Sequence, residues 1–357
     1  MLPFNINLNI TEDYQAYKNT NKEHFTNVAR FVEFLRQKRY DEDFDHSAVN
    51  LSVLPTRMDE NWDAQFEAIL EAKVPIFSTT FGALSANRVK MLQDQGTVVI
   101  GTATCVDEAI ILMDTGVDGI CLQGKEAGGH RGTFITKGKD QIDFMGKGFQ
   151  PRKRLLSDVC AKLRSYAALK RVDMPMIMTA GGIISAEDID EDLIGKKGLA
   201  HSDIKTQTAD AVTIGTGFIS TQECKRSHET YKLALRNLTS GLRKFRDPAD
   251  FEIATTTGIT GRPATGIRNR LMDEMEEFMT INKNSKNHVK YPLLSRLTGK
   301  IRRESGEQND PEYSSLWAGT GVYKLREYSN DPSLPDFNCT TQEYVDRLVK
   351  HSKALSS

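Results

Sequence analysis

The sequence predicts an α/β fold built on a parallel β-sheet of the (β/α)8 TIM-barrel type. The first reason is a regular alternation of short apolar segments with helical segments between residues 62 and 214. Strands separated by helices of this length are typical of parallel βαβ units. The second reason is that two consecutive strands late in the series end in glycine turns, as the last strands of such barrels commonly do. Strands are predicted at 2–8, 74–81, 98–103, 119–123, 174–180 and 209–214, and helices at 64–72, 86–95, 106–114, 151–169 and 185–193.

Composition excludes several classes of partner. Among 357 residues, 47 are basic and 48 acidic, and the net charge of −1 predicts neither a nucleic-acid partner nor an anionic membrane partner. The five cysteines show no C-x-x-C spacing, and their odd number argues against a disulfide framework. No apolar run reaches the length of a membrane span, and the N-terminus lacks the basic start of a signal peptide. We therefore expect a cytoplasmic protein without a metal site; no oligomeric state is indicated.

The N-terminal region begins with strand composition and then becomes polar. Residues 2–8 are predicted to form the first strand of the sheet, without a preceding helix. Residues 11–61 are polar and charged, with a predicted helix at 25–39. Because no chemistry is indicated there, this segment is expected to be a charged, solvated insertion in a barrel domain that spans residues 1–224.

Residues 118–132, with the sequence DGICLQGKEAGGHRG, give the first indication of chemistry. A buried strand ends at Gln123, whose side chain can donate and accept hydrogen bonds, and a glycine-rich loop follows. Gly128 and Gly129 allow the backbone to come close to a flat or anionic ligand, and the adjacent His130 carries a side chain that exchanges protons near neutral pH. The simpler alternative is an ordinary strand-to-helix turn in which His130 is merely exposed.

Two further glycine turns, Gly181-Gly182 and Gly215-Thr216, end consecutive strands. Glycine exposes backbone N–H groups, the N-terminus of a following helix favours an anion, and Thr216 adds a hydroxyl. In a (β/α)8 barrel the loops after the last two strands commonly form a phosphate site. The two turns therefore predict a phosphate-bearing ligand whose reactive part faces His130. The alternative is that each turn only permits close packing of a strand on a helix.

The region after the last predicted strand is helical and charged. Helices are predicted at 226–242 and 267–279, with small-residue segments at 255–264 and 315–321. Such a region can cap the open mouth of a barrel and exclude water, so residues 225–328 are expected to form a helical substrate or cap region. An independent helical domain is the alternative. Residues 329–357 are expected to form a C-terminal tail with a peripheral amphipathic helix at 341–355.

Together these motifs resemble those of the nitronate monooxygenases, formerly called 2-nitropropane dioxygenases. The resemblance is carried by Q-G-x-E-A-G-G-H-R-G at 123–132, A-G-G-I at 180–183, G-T-x-F at 215–218, G-R-P-A at 261–264 and W-A-G-x-G at 317–321. Several ordered motifs are a far more specific signal than one glycine motif. The resemblance implies an FMN-dependent (β/α)8-barrel enzyme that oxidises alkyl nitronates with O2 to a carbonyl compound and nitrite. Propionate 3-nitronate is one candidate substrate.

The resemblance also implies roles for single residues. His130 resembles the active-site histidine of the family, which can take the α-proton of a neutral nitroalkane or, when protonated, pair with a nitronate anion. Asn7 is similar to an asparagine that the family places beside the flavin on an early strand. The residues implied to contact the flavin or hold its phosphate are Gln123, Gly128, Gly129, Gly181, Gly182, Gly215 and Thr216.

Two departures from the family pattern matter. Thr320 stands where the family usually has glutamine, which removes a long amide near the flavin. Only six strands are predicted, whereas a closed barrel of this type has eight, and the family's first strand, ending in A-P-M, is not present. The sheet is therefore expected to lack its first two strands. Either the sequence is an incomplete product of its gene, which we favour because the other site residues are present, or the chain lacks part of the flavin site.

Two other functions stay open at this point. An FMN-dependent enoyl-acyl carrier protein reductase is similar in its glycine and histidine loop, although the G-R-P-A and W-A-G-x-G segments favour a nitronate monooxygenase. A truncated, non-catalytic barrel remnant that binds no flavin is the alternative of a different class.

Overall fold

The structure is a computed structural model that describes residues 5–9, 22–40, 62–135, 149–195, 208–224, 229–234, 253–281, 289, 291–326, 332–335 and 338–355. Predicted segments outside these ranges include residues 2–4 of the first strand and 235–242 of the helix at 226–242. The described residues form two compact units. The first contains residues 5–9, 62–135, 149–195, 208–221, 319–326, 332–335 and 338–355, and the second contains the rest. The predicted domain boundaries at 224 and 328, and the cap role of the helical region, stay predictions.

The helices of the two units are numbered together in chain order. They are α1 (Lys22–Tyr40), α2 (Trp62–Ala72), α3 (Ala86–Gln93), α4 (Val106–Asp114), α5 (Arg152–Lys170), α6 (Ala186–Leu193), α7 (Arg270–Ile281), α8 (Leu293–Leu297), α9 (Gly299–Glu307), α10 (Val322–Arg326) and α11 (Thr341–His351). A 3₁₀ helix covers Thr216–Ser220, and residues 229–234 are helical. Among the described residues, no helix has both the length and the apolar character needed to cross a bilayer.

The first unit is organised by a parallel sheet of six strands in the order β1-β2-β3-β4-β6-β7. A short segment, β5, carries part of the glycine-rich loop. All six strands predicted from the sequence are present in this sheet. That this sheet belongs to a (β/α)8 barrel lacking its first two strands stays a prediction. The strands are β1 (Asn5–Asn9), β2 (Ile76–Thr80), β3 (Val98–Ala103), β4 (Gly119–Gln123), β5 (Gly129–His130), β6 (Met176–Ala180) and β7 (Ala211–Thr213).

The pairing register brings the carboxyl ends of β4, β6 and β7 side by side. Gln123 pairs with Ala180, and Ala180 pairs with Thr213. Each of these residues is the last, or close to the last, of its strand. The histidine loop and both glycine turns therefore start from neighbouring points on one edge of the sheet, which is where ligands bind in parallel α/β sheets.

One face of the sheet is apolar and packs against helices. Leu122 of β4 and Phe77 of β2 are fully buried with Leu112 of α4 and Leu155 of α5 in the largest apolar core. The alternate residues along the strands are polar and only half-buried: Thr80 and Thr102, whose hydroxyl oxygens lie 3.2 Å apart, Cys121 and Gln123. Because side chains alternate between the faces of a strand, burial of one face leaves the other for polar groups.

Capping boxes begin two helices of the first unit, α6 and α11. The hydroxyl of Ser185 accepts a hydrogen bond from the amide of Asp188, and the carboxylate of Asp188 accepts one from the amide of Ser185, which makes a capping box at α6. Thr340 and Glu343 make the same arrangement at α11. Each box satisfies amides that have no acceptor inside their own helix.

Helix α11 differs from the expected peripheral helix. Its side chains Tyr344 and Leu348 are buried with Ile183, Ile184 and Ile189 in a separate apolar cluster that also includes Leu334 and Cys339. The sequence at 341–355 is amphipathic, as predicted, but its apolar face is covered by the chain that follows β6. This helix is thus part of the packed first unit.

The second unit contains α1, α7, α8, α9, and an antiparallel pair formed by β8 (Ile253–Thr256) and β9 (Ala264–Ile267). Helix α1 differs from the solvated insertion expected for residues 11–61. Val28, Val32 and Leu35 are buried together with α7, and the rings of Phe31 and Phe278 stack with centroids 4.0 Å apart. Apolar residues at positions 28, 32 and 35 have helical spacing and form one apolar stripe, which the polar average composition conceals.

We predict that Leu35→Ala lowers the free energy of unfolding by about 2 to 4 kcal/mol, because it removes a buried side chain from a packed core. Leu35 is 4% exposed. Urea unfolding followed by circular dichroism measures the change. Arg30→Ala, at an exposed position of the same helix, is the control and is expected to change it by less than about 0.5 kcal/mol. Equal, small effects of both substitutions would show that α1 is not part of a core.

Candidate functional site

Four segments of the first unit converge at the carboxyl edge of the sheet. They are the histidine loop at 123–132, the turn after β6 at 181–182, the turn after β7 at 215–217 and the segment 319–321. The amide of Gly319 donates to the hydroxyl of Thr216 at 2.9 Å, and the amide of Thr320 donates to the carbonyl of Glu126 at 2.9 Å. A Cβ atom on Gly319 would overlap the carbonyl oxygen of Glu126. These contacts make one site from motifs that are far apart in the sequence.

The side chain of Gln123 holds the histidine loop. Its Nε2 donates to the carbonyl of His130 at 3.0 Å, and its Oε1 accepts from the amide of Gly132 at 2.8 Å. Sequence reasoning predicted a flavin contact for Gln123. Here the amide group has a second role, since both of its ends bind the backbone on either side of Arg131. The flavin contact stays a prediction.

The far end of the same loop is held by Glu108 of α4. One carboxylate oxygen accepts from the amides of Phe134 (2.6 Å) and Ile135 (3.1 Å), and the other accepts from the amide and the hydroxyl of Thr104 (2.7 and 2.8 Å). Glu108 is 0% exposed. A buried carboxylate is tolerated because four donors replace its water. Sequence reasoning missed this residue, although its signal was visible: a glutamate at the third position of a helix, where a carboxylate can accept from backbone amides.

The imidazole of His130 is half-buried and meets the ring of Phe81 edge-on, with centroids 5.9 Å apart and an interplanar angle of 85°. Phe81 follows β2 directly and is buried. Its φ is 72°, which is unfavourable for a bulky side chain. Backbone strain of this kind persists only where the surrounding structure enforces it, and it is frequent at functional sites. The strained residue lies directly beside the predicted active-site histidine.

Arg131 supports the loop from inside. Its side chain is almost fully buried, its Nη2 donates to the carbonyl of Gly124, and its guanidinium carbon lies 4.9 Å from the centroid of the Phe149 ring. Burial lowers the pKa of Arg131 to about 10, although the charge of Glu126 raises it. The side chain is therefore cationic at neutral pH. These contacts hold the charged side chain inside the loop.

Glu126 connects three of the four segments. Its two carboxylate oxygens accept from the amide of Arg152 at 3.2 and 2.9 Å, which places a negative charge at the N-terminus of α5. The backbone carbonyl of Glu126 accepts from the amide of Thr320. A Cβ atom added to Gly182 would lie 3.1 Å from the Cβ of Glu126. The residue was visible in the motif but had no assigned role, because its partners are backbone groups distant in sequence.

The glycines of the turn after β6 are required by the protein itself. Gly181 and Gly182 have φ values of +117° and +71°, which residues with side chains rarely adopt. A Cβ atom at Gly181 would lie 2.8 Å from the amide of Ala127, and one at Gly182 would lie 3.1 Å from the hydroxyl of Thr320. Close packing, the simpler alternative from the sequence, therefore explains why these two residues are glycines.

Gly215 and Gly129 are different, because a Cβ atom at either would meet no atom of the described residues within 4 Å. The φ of Gly215 is −121°, so its backbone does not require glycine, whereas Gly129 has a φ of +75°. At Gly215 the small residue leaves open space that neither backbone conformation nor protein packing demands. Space kept open by glycine beside a strand end is what close approach of a ligand needs.

The donors of the two turns fit an anion. Within the described part of the chain, the amides of Gly182, Gly215 and Thr216 donate to no protein acceptor. The turns lie side by side because Ala180 pairs with Thr213, and the 3₁₀ helix begins at Thr216. Amides pointing from adjacent turns form an anion-binding concavity. The residues present thus fit a phosphate group of a flavin nucleotide.

An ion pair holds the chain just after the turn at 181–182. Asp188 accepts from the amides of Ile184 and Ser185, both at 3.0 Å, and from Nζ of Lys324 at 2.6 Å. Burial raises the pKa of Asp188, but Lys324 and the two amides lower it by more, so the net pKa lies below the ordinary value. The stabilisation is full at neutral pH and is lost as pH falls through that lowered pKa.

The remaining predicted positions are placed less completely. Asn7 lies on β1 in register with Ser78, while its side chain is outside the described set. Gly128 lies next to the 319–321 segment, since a Cβ atom on Gly319 would be 2.8 Å from its amide. No group of metal-ligating side chains occurs among the residues that the structure describes.

Comparison with known proteins decides the family. A model of the nitronate monooxygenase family matches residues 1–331. The chain belongs to the nitronate monooxygenase family. This confirms the resemblance found in the motifs and makes the chain a member of a family of flavin-dependent oxidoreductases, as predicted. FMN as the particular flavin stays a prediction.

Single relatives of this nitronate monooxygenase family member agree. A probable nitronate monooxygenase of Bacillus subtilis is 30% identical over 276 residues, which are 76% of this chain and 66% of that protein. A probable nitronate monooxygenase of Staphylococcus haemolyticus is 25% identical over 99% of this chain and 80% of that protein. The chain thus spans just under two thirds of the first relative and four fifths of the second.

Solved structures support the fold. A nitroalkane oxidase from Streptomyces ansochromogenes superposes with a TM-score of 0.67 at 22% identity, covering 99% of this chain and 81% of that one. FabK from Thermotoga maritima superposes with a TM-score of 0.51 at 16% identity, covering 84% and 73%. At these identities the likeness concerns the fold alone, and it supports a mixed α/β fold of TIM-barrel type.

We predict that Glu108→Gln lowers the free energy of unfolding of this family member by about 2 to 3 kcal/mol, because the amide nitrogen cannot accept the N–H groups that the carboxylate oxygen accepts. Amide hydrogen exchange at Phe134 and Ile135 should accelerate with it. Asp107→Asn, at the exposed neighbouring position, is the matched control and should change stability by less than about 1 kcal/mol. If Glu108→Gln is as stable as this control, the carboxylate of Glu108 does not stabilise the loop.

Proposed function

We propose that this chain oxidises alkyl nitronates with O2 to a carbonyl compound and nitrite, with FMN as its cofactor. The observation that carries the proposal is the convergence, on one edge of the sheet, of a held histidine, an open glycine position and turn amides that have no acceptor among the described residues. In the reaction, the carbon that bore the nitro group becomes a carbonyl carbon, and its nitrogen leaves as nitrite. Propionate 3-nitronate is the first candidate substrate.

The amides of Gly182, Gly215 and Thr216 would hold the phosphate of FMN, with the Thr216 hydroxyl as an additional donor. The open space at Gly215 supports this assignment, since it lies beside those amides. The backbone of Gly181 would lie against the phosphate. The residues that would contact the flavin ring are Asn7, Gln123, Gly128 and Gly129. When bound, the flavin supplies the electron-transfer chemistry between nitronate and O2.

His130 would act on the substrate. A neutral imidazole can accept the α-proton of a nitroalkane and so generate the nitronate, and an imidazolium can pair with a nitronate that enters as an anion. The loop is held on both sides of His130, by Gln123 and by Glu108, and Phe81 restricts the ring. A base held in this way loses little freedom when substrate binds, which favours catalysis.

The first test is the binding of FMN and riboflavin, measured by quenching of flavin fluorescence on titration with protein freed of flavin. We expect Gly215→Leu to weaken FMN binding by about tenfold or more, through displacement of the phosphate, and riboflavin binding much less. A Cβ atom at Gly215, unlike one at Gly182, meets no described atom within 4 Å, so we expect the variant to fold. Gly299→Leu, at a position whose Cβ would likewise meet no described atom within 4 Å, is the control.

Other outcomes of this test identify the alternatives. Protein that stays colourless with FMN would support the non-catalytic remnant and overturn the proposal. Bound FMN with consumption of a nicotinamide cofactor and an enoyl thioester, but without nitrite from propionate 3-nitronate, would identify the enoyl-acyl carrier protein reductase instead. If Gly215→Leu leaves FMN binding unchanged, the phosphate does not bind at the turn after β7.

The role of His130 separates two substrates. We predict that His130→Asn depresses kcat/KM for neutral nitroalkanes about 100-fold, the usual contribution of a general base, and for preformed nitronates far less. Nitrite release measures both. His351→Asn, an exposed histidine of α11, should leave both unchanged. Equal losses on both substrates would exclude proton abstraction by His130.

A further inference from the structure

Helix α11 lies beyond the part of the chain that the family model matches, which ends at residue 331. Its Tyr344 nevertheless reaches the turn after β6. The hydroxyl of Tyr344 donates to the carbonyl of Ile184 at 2.6 Å, and the side chain is 0% exposed. Ile184 is two residues after Gly182, so this hydrogen bond holds the chain where it leaves the turn.

The same side chain contacts the turn after β7. The rings of Tyr344 and Phe218 meet edge-on, with centroids 5.1 Å apart and an interplanar angle of 67°. A Cβ atom on Gly217 would overlap the Tyr344 hydroxyl and lie 2.7 Å from two carbons of its ring. Gly217 therefore has to be glycine because Tyr344 occupies the space beside it. One aromatic side chain touches both turns.

Neighbouring contacts keep the helix in place. The hydroxyls of Thr341 and Thr221 lie 3.1 Å apart, and the hydroxyl of Ser333 accepts from the amide of Ala186 at 2.9 Å, at the start of α6. At the other end of α11, Asp190 accepts from the hydroxyl of Ser352 at 2.6 Å and from the amide of Ala354 at 3.0 Å. The position of Tyr344 is thus set from both sides.

We propose that Tyr344 is a positioning residue for the phosphate of the flavin, because it fixes the distance between the two turns that carry the phosphate amides. The inference rests on the proposed function. A phosphate bound by amides of two separate turns needs both sets aimed at one point. The two turns follow different strands, β6 and β7. Beyond the ends of these strands, where the backbones no longer pair, Tyr344 contacts both turns. A brace of this kind acts on the phosphate and leaves the flavin ring unaffected.

The test compares FMN with riboflavin, which lacks the phosphate. Tyr344→Phe keeps the ring and removes the hydroxyl that binds Ile184. We expect it to raise the Kd of FMN about fivefold to tenfold, and the Kd of riboflavin by less than about twofold, since only FMN uses the turns. Gly217→Ala, which pushes the second turn away from Tyr344, should act in the same direction.

Tyr313→Phe is the matched control. Tyr313 is buried in the second unit, and its hydroxyl donates to the carboxylate of Glu274 at 3.0 Å. Its loss should lower thermal stability at least as much as Tyr344→Phe, and should leave the ratio of the two Kd values unchanged. This control distinguishes a general loss of stability from an effect on the phosphate.

The Kd values of FMN and riboflavin distinguish the possible outcomes. An increase in the Kd of FMN alone supports the brace. Parallel weakening of FMN and riboflavin, or no change of either, overturns it while the proposed flavin function stands. A wild-type chain that binds neither flavin ends the proposed function itself, and the brace with it.

Discussion

The in-register pairing of β4, β6 and β7 is the constraint on which the candidate site depends. Gln123, Ala180 and Thr213 lie in one row across three parallel strands, so the segments that follow them start next to one another. Parallel strands all end on the same edge, and a shift of one residue in any pair would turn every side chain of that strand to the other face. The apolar face buried against α4 and α5 prevents such a shift. The same packing that stabilises the sheet thereby positions the site.

Beyond the strand ends, hydrogen bonds from polar side chains replace those of regular secondary structure; Glu108 is fully buried, and Gln123 and Glu126 are half-buried. Gln123 and Glu108 bind backbone groups of loop residues, and Glu126 binds the first amide of α5. In each case the side chain replaces the water that the backbone group would otherwise bind. Buried amides without an acceptor are costly, so a loop with such partners has one favoured conformation. This explains how a glycine-rich loop, which is flexible by composition, can present His130 in a defined place.

Sequence reasoning predicted the strands, their parallel arrangement and the two glycine turns, because periodicity and glycine position are local signals. It missed Glu108, Glu126 and Tyr344, because the atoms that each of them binds belong to residues up to 160 positions away or to the backbone, which has no sequence signature. It also assigned α1 to solvent, since the apolar stripe of Val28, Val32 and Leu35 finds its partner near residue 270. Local chemistry could be predicted, whereas the supports of that chemistry required the tertiary contacts.

Glycine in a motif does not carry one meaning, and the two turns show the difference. Gly181, Gly182 and Gly217 are explained by the protein, through positive φ or through contact with Ala127, Thr320 and Tyr344. Gly215 is explained by neither. Among the described residues, no packing contact requires Gly215 to be small, and the neighbouring amides have no acceptor, which favours a ligand at this position. The phosphate assignment therefore depends mainly on Gly215 and Thr216, and the glycine pair after β6 supports it by bringing a second backbone segment alongside.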